Sequence, residues 1–100
     1  MTKRALAEPT LMVDNDRVRV TRWQFAPGAA TGWHVHEMDY VITPVLGQPV
    51  DIVDGEGAVT RVEMVPGQSY FREAGVAHDV INAGLGDLVF VETEIKPSKG

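Results

Sequence analysis

Short alternations of apolar and polar residues, broken by turn residues, run through most of this chain. Arg17-Val18-Arg19-Val20-Thr21-Arg22-Trp23-Gln24-Phe25 changes character at nearly every step, which is the period of a strand with one buried and one solvated face. Runs rich in β-branched and aromatic residues predict further strands from residue 11 onward and over residues 40–46, 49–53, 58–65, 68–72, 78–82 and 88–95. Turn chemistry falls between them: Pro27-Gly28, Pro66-Gly67, and Ala83-Gly84-Leu85-Gly86-Asp87. Asp54-Gly55-Glu56-Gly57 is the strongest hairpin signal, because glycine reaches the positive φ of a tight turn. Pro44 interrupts its strand and predicts an edge or a bulge there. Residues 2–8 offer the one helical turn, capped by Thr2 and stopped at Pro9, too short to stand alone. The expected organisation is an N-terminal arm over residues 1–10, a β-barrel domain over residues 11–96 and a polar tail over residues 97–100. With next to no helix, the pattern predicts an all-β sandwich or barrel.

Composition narrows the setting. A chain of 100 residues, 44% hydrophobic and 23% charged, makes one ordinary globular domain with a single core. Its net charge is −5, with no basic run beyond Lys3-Arg4. That balance argues against nucleic acid or an anionic membrane as partner, since binding phosphates takes concentrated positive charge. The absence of cysteine excludes disulfides and thiolate chemistry. No stretch approaches the ~18 apolar residues of a membrane helix or the apolar run of a signal peptide, so the expectation is a soluble, cytoplasmic protein.

The candidate chemistry is concentrated in Gly28-Ala29-Ala30-Thr31-Gly32-Trp33-His34-Val35-His36-Glu37-Met38-Asp39-Tyr40-Val41, which holds two of the three histidines. On a strand, side chains two apart leave the same face roughly 6.6 Å apart, at about 3.3 Å per residue, and two imidazoles can then converge on one ion. On a helix they would point about 200° apart. Val35, Val41, Ile42 and Thr43 are β-branched, which favours the strand. The third histidine, His78, stands in Gly75-Val76-Ala77-His78-Asp79-Val80-Ile81-Asn82, again an apolar segment after a glycine turn. A local pair plus a remote third residue requires a fold that closes.

These residues also fall on a family pattern. Gly28, five residues, His34, one residue, His36, three residues, Tyr40, six residues, Gly47 has the spacing of the first cupin motif, with Tyr40 where that motif has glutamate. Gly67, five residues, Glu73, one residue, Gly75, two residues, His78, three residues, Asn82 has the spacing of the second, with Glu73 where it has proline. The chain therefore resembles a single-domain cupin, and within that family short stand-alone members reading Thr-Gly-Trp-His-x-His, some of them linked to β-alanine breakdown. The resemblance implies a double-stranded β-helix, or jelly-roll barrel, usually a homodimer. It also implies that His34, His36 and His78 hold a divalent metal ion such as Fe, Mn, Ni or Zn inside the barrel mouth.

With no glutamate at position 40, three readings remain for the fourth metal position. Tyr40 has the parity of His34 and His36 and on an unbroken strand points into the same cavity, as ligand, acid–base group or inward wall; a phenol of pKa about 10 ligates only where the metal strongly stabilises its anion. Asp39 has the opposite parity and reaches the cavity only through a one-residue bulge. Otherwise water fills the open positions, as in three-histidine dioxygenase sites. Arg72 is a candidate for binding a substrate carboxylate in a two-pronged fashion, against a surface ion pair with Glu73 or Asp87. Asn82 is expected to brace a turn, Asp79 to accept from a ligand imidazole, and Trp23, Phe25, Trp33, Phe71 and Phe90 to serve as core or dimer contacts.

The functional expectation is a metal-dependent enzyme, of dioxygenase or lyase/isomerase type, acting on a small polar or carboxylate-bearing molecule in the barrel. The alternative is a non-catalytic small-molecule-binding or sensing module. Fold alone does not choose between them.

Overall fold

The computed structural model describes residues 4–97, which form nine strands and no helix. In chain order these are β1 (Glu8–Asp14), β2 (Val18–Phe25), β3 (His34–Val35), β4 (Asp39–Leu46), β5 (Pro49–Val53), β6 (Val59–Glu63), β7 (Tyr70–Arg72), β8 (Ala77–Asn82) and β9 (Leu88–Ile95). They make two antiparallel sheets, one ordered β1-β2-β9-β4-β7 and the other β3-β8-β5-β6. The chain stays within one sheet only at the β1–β2 and β5–β6 connections and passes between sheets at all the others, the interleaving of a jelly roll.

The sheets close on one core. Phe25, Tyr40, Ile42, Leu88 and Phe90 from the first pack with Val50 and Val80 from the second, joined by Ala29 and Met64 from connections. Phe25 and Phe90 meet with ring centroids 5.4 Å apart. On β9 the inward set is Leu88 and Phe90, and strict alternation places Glu92 and Glu94 on that same face.

The turn chemistry behaves as its residues dictate. Asp54 Oδ1 accepts from the backbone N–H groups of Glu56 and Ala58, closing the β5–β6 hairpin. The β4–β9 register shifts between Pro44 and Leu46, so the proline sits at a bulge. Asn82 is buried; its Nδ2 donates to the carbonyls of Phe25, Ala26 and Gly86 and its Oδ1 accepts from Gly84 N–H, tying the ends of β2, β8 and the last turn together.

Two expectations need correction. The described part of residues 2–8 makes no helical turn: Leu6 bridges Ala30, Ala7 N–H donates to Ala30 O, and β1 already begins at Glu8. Pairing with Ala30, which itself bridges Ile81 on β8, captures the segment, and nothing local rewards so short a helix. The single solvated face expected of β2 is absent too, since Val18 to Gln24 are all half-buried. Of the aromatics expected as core or dimer contacts, Phe25 and Phe90 are in the core, while Trp33 and Phe71 are about half exposed, at 54% and 50%, outside the core of this chain.

Candidate metal centre

The two histidine segments are sewn to each other by backbone bonds. Gly32, at φ +81°, turns the chain into β3, and its N–H donates to Asp79 Oδ1 at 3.1 Å. Thr31 N–H donates to Val80 O and Thr31 Oγ1 accepts from Val80 N–H, so residues 31–32 are clamped onto β8. His34 then stands directly opposite His78 in the β3–β8 register. One step beyond β3, His36 N–H donates to Val76 O and Gly75 N–H donates to His36 O, both at 2.8 Å. Gly75 has φ +101°, a conformation that side-chain-bearing residues avoid.

This backbone brings the three imidazoles to one point. His34 Nδ1 lies 2.9 Å from Gly32 O and donates to it, so His34 Nε2 carries a lone pair. His34 Nε2 lies 2.9 Å from His36 Nε2, which lies 3.1 Å from His78 Nε2, and the three ligand atoms all fall within 4.8 Å of one another. A cation satisfies such a group better than the rings satisfy each other, because convergent lone pairs repel. Two nitrogens at about 2.1 Å from one ion and a right angle apart stand about 3.0 Å from each other, and both measured separations are close to that. The donor set therefore fits a divalent metal.

Burial keeps the ligands in the right protonation state. Desolvation, aided by the neighbouring His34, pushes His36 and His78 down to about 4, so both are neutral at physiological pH. Protons then compete little for the lone pairs a metal needs.

The rings line a cavity of about 250 Å³, whose walls include Tyr40, Trp23, Glu92, Tyr70 and the Arg19–Glu94 ion pair. Tyr40 is buried and its ring stacks on His36, with centroids 3.9 Å apart and planes 20° apart. Burial pushes its phenol up to about 12, which favours a neutral hydroxyl over a phenolate. Its inward aspect survives although the strand is broken after Val35, because β4 starts afresh at Asp39.

Asp39 is not brought to the cluster. No bulge turns it inward, and its Oδ1 accepts from Ala74 N–H at 2.8 Å on the opposite side of β4. Asp79 likewise accepts from Gly32 N–H rather than from an imidazole, so it braces the loop that carries His34. Arg72 forms no ion pair with Glu73 or Asp87. Its guanidinium lies over the Tyr70 ring, 4.7 Å from the centroid, and borders a second hollow that also touches Tyr40 and His78.

Sequence reasoning passed over Glu92. Its Oε2 lies 3.8 Å from His36 Nδ1. Burial, then the charge of Glu94, pushes its carboxyl up to about 7, against the pull of the Trp23 indole N–H and of Arg19. The signal was available: Glu92 falls on the parity of Leu88 and Phe90, a carboxylate on an apolar face.

A cupin-domain family model, Cupin_2, matches residues 21–94, which contain all three histidines and the whole of β3 to β8. The chain belongs to the cupin family. This cupin is 51% identical over 96 residues to the β-alanine degradation protein BauB of Pseudomonas aeruginosa PAO1, covering 96% of this chain and all of that one. A crystal structure of a cupin domain from Bordetella pertussis Tohama I superposes with a TM-score of 0.92 at 46% identity, over 97% of this chain and 100% of the other. The polyketide cyclase RemF from Streptomyces resistomycificus shares the fold at a TM-score of 0.70 and 20% identity, over 99% of this chain and 73% of its own. The fold of this cupin is thus the jelly-roll barrel that its two motifs imply.

Proposed function

We propose that this cupin is a metal-dependent enzyme of dioxygenase or lyase/isomerase type acting on a small carboxylate-bearing molecule. The observation that carries the reading is the convergence of three imidazole nitrogens on one point at the wall of a cavity. His34, His36 and His78 are the proposed ligands. A divalent ion there would supply Lewis acidity, and a redox-active one would also exchange electrons with dioxygen. The cavity volume, below the usual ~300–1,000 Å³ of drug-sized pockets, suits a small metabolite.

The remaining walls have proposed roles of their own. Tyr40, neutral at physiological pH, is the group able to hold or donate a proton beside the ligands. Arg72 is the available cation for a carboxylate in the second hollow, which shares Tyr40, Tyr70 and His78 with the walls of the metal cavity. The name of the Pseudomonas relative refers to β-alanine degradation, and a small amino or keto acid would satisfy this chemistry.

A second copy of the chain is the proposed partner. β1 pairs only with β2 and is exposed along its whole length, leaving Leu11, Met12 and Val13 uncovered on an open edge. Light scattering on the full chain should return twice the monomer mass, and a monomer at micromolar concentration would defeat this assignment.

Activity is tested by oxygen uptake and product analysis with ferrous and manganous protein over a panel of small amino acids, keto acids and thiols. Turnover that is lost in His78→Ala supports the enzyme. Tight ligand binding without turnover for any metal would establish the binding module instead.

A further inference from the structure

We propose that Glu92 is a positioning residue for the metal: its carboxylate accepts the Nδ1–H of His36 and thereby aims that ring's bare Nε2 at the ion. The inference rests on the three-histidine reading above and concerns a residue that neither cupin motif contains.

His36 is the most buried of the three rings, at 7% exposure, and a metal-binding ring is oriented by the acceptor of its other N–H. His34 has one in the Gly32 carbonyl. The carboxylate facing His36 Nδ1 is that of Glu92, whose Oε2 lies 3.8 Å away. That gap lies just beyond hydrogen-bond range, and the terminal torsion of a glutamate is broad enough to close it at little cost. The opposite face of the ring is already fixed, because Tyr40 stacks against it. Stacking sets the plane of the imidazole, and the carboxylate sets its rotation within that plane.

A second observation points to the same carboxylate. Trp23 Nε1 is buried among the described residues with no hydrogen-bond partner of good geometry, yet its N–H pulls on Glu92. Glu92 therefore stands between two ring N–H groups, His36 Nδ1 and Trp23 Nε1, neither of which makes a hydrogen bond to another of the described residues. Its neighbour Glu94 differs: both of its oxygens are taken by Arg19, at 2.9 and 3.3 Å. A desolvated carboxylate without a cation is costly on an apolar face. A divalent ion one imidazole away offsets that cost, and the carboxylate in turn raises the basicity of the ring it holds.

The test is a Zn2+ titration of the untagged full chain, with imidazole nitrogens followed by NMR in the diamagnetic zinc form. Glu92→Leu should weaken Zn2+ about 10–100-fold, the usual loss when such an outer partner of a ligand is removed. Glu92→Gln, whose amide oxygen still accepts, should lose less. Both should move or abolish the His36 Nδ1–H resonance while leaving that of His34 in place, a selectivity that general loosening of the cavity does not produce. Wild-type affinity together with an unmoved His36 resonance overturns the proposal. If the Leu variant fails to fold, the isosteric Gln variant decides by the same resonance. A wild-type chain that takes up no Zn2+ overturns the three-histidine reading as well, whereas normal wild-type binding with indifferent variants overturns this inference alone.

Discussion

His34 on β3 and His78 on β8 are direct cross-strand partners, with ring centroids 4.7 Å apart. Two of the three imidazoles are thus placed by the register of one short antiparallel pair. A slip of one residue would send one of them to the other face. What prevents the slip is the side chain of Asp79, which holds Gly32 N–H, and the exchange of bonds between Thr31 and Val80.

Asp79→Ala should therefore cost about 1 kcal/mol of stability, one hydrogen bond's worth, and weaken metal binding although Asp79 touches no ligand ring. Urea unfolding and a parallel metal titration check both effects. Unchanged affinity in a folded variant would mean that β3 keeps its register without this brace.

Tyr40→Phe should retain fold and metal, because the ring stacking on His36 survives and the hydroxyl makes no hydrogen bond to another of the described residues. The ferric form of the wild type should show no tyrosinate charge-transfer band, since the phenol sits up at about 12. Tyr40→Ala, by contrast, empties a fully packed core position and should cost about 3–5 kcal/mol. A visible band that disappears in the Phe variant would make Tyr40 a ligand.

Asn82→Ala should be among the most damaging changes far from the metal. It strips three carbonyls and one N–H of their buried partner, and the expected loss is about 2–4 kcal/mol. Metal stoichiometry of the surviving folded fraction should remain that of the wild type. A loss below 1 kcal/mol by urea titration would show that water replaces the amide.

The metal-free protein should be most stable near pH 6.5. His36 and His78 sit at about 4 when folded against 6.5 when unfolded, so between those values the unfolded chain binds more protons and stability falls as pH drops from 6.5 towards 4. Glu92 has the opposite sign. Raised from 4.5 to about 7, it binds more protons in the folded state, and stability falls as pH rises through that window. Two histidines outweigh one carboxyl below 6.5, and above it only the carboxyl acts. Denaturation in the presence of chelator from pH 4 to 8 should trace this maximum, and a monotonic rise to pH 8 would contradict the placement of Glu92.

Much of the architecture is legible in the residues because it is local. Alternation and turn chemistry state most of the strands, Pro44 states its bulge, and the motif spacing states which histidines meet. The helical turn expected in residues 2–8 fails because a sheet edge outside that segment decides its conformation. Parity informs in two places. Asp39, of the opposite parity to the histidines, faces away from them and holds Ala74 N–H, while Glu92 announces itself by sharing a face with Leu88 and Phe90. Its partner His36 lies across the barrel, and only closure of the two sheets makes them neighbours.

The most direct test of the account is metal content measured on untagged protein and on His78→Ala after equilibration with Fe, Mn, Ni and Zn salts. One ion per wild-type chain, with occupancy collapsing in the variant, is the expected result. Wild-type protein that binds none of these ions, or a His78→Ala variant that binds as much as the wild type, would contradict it.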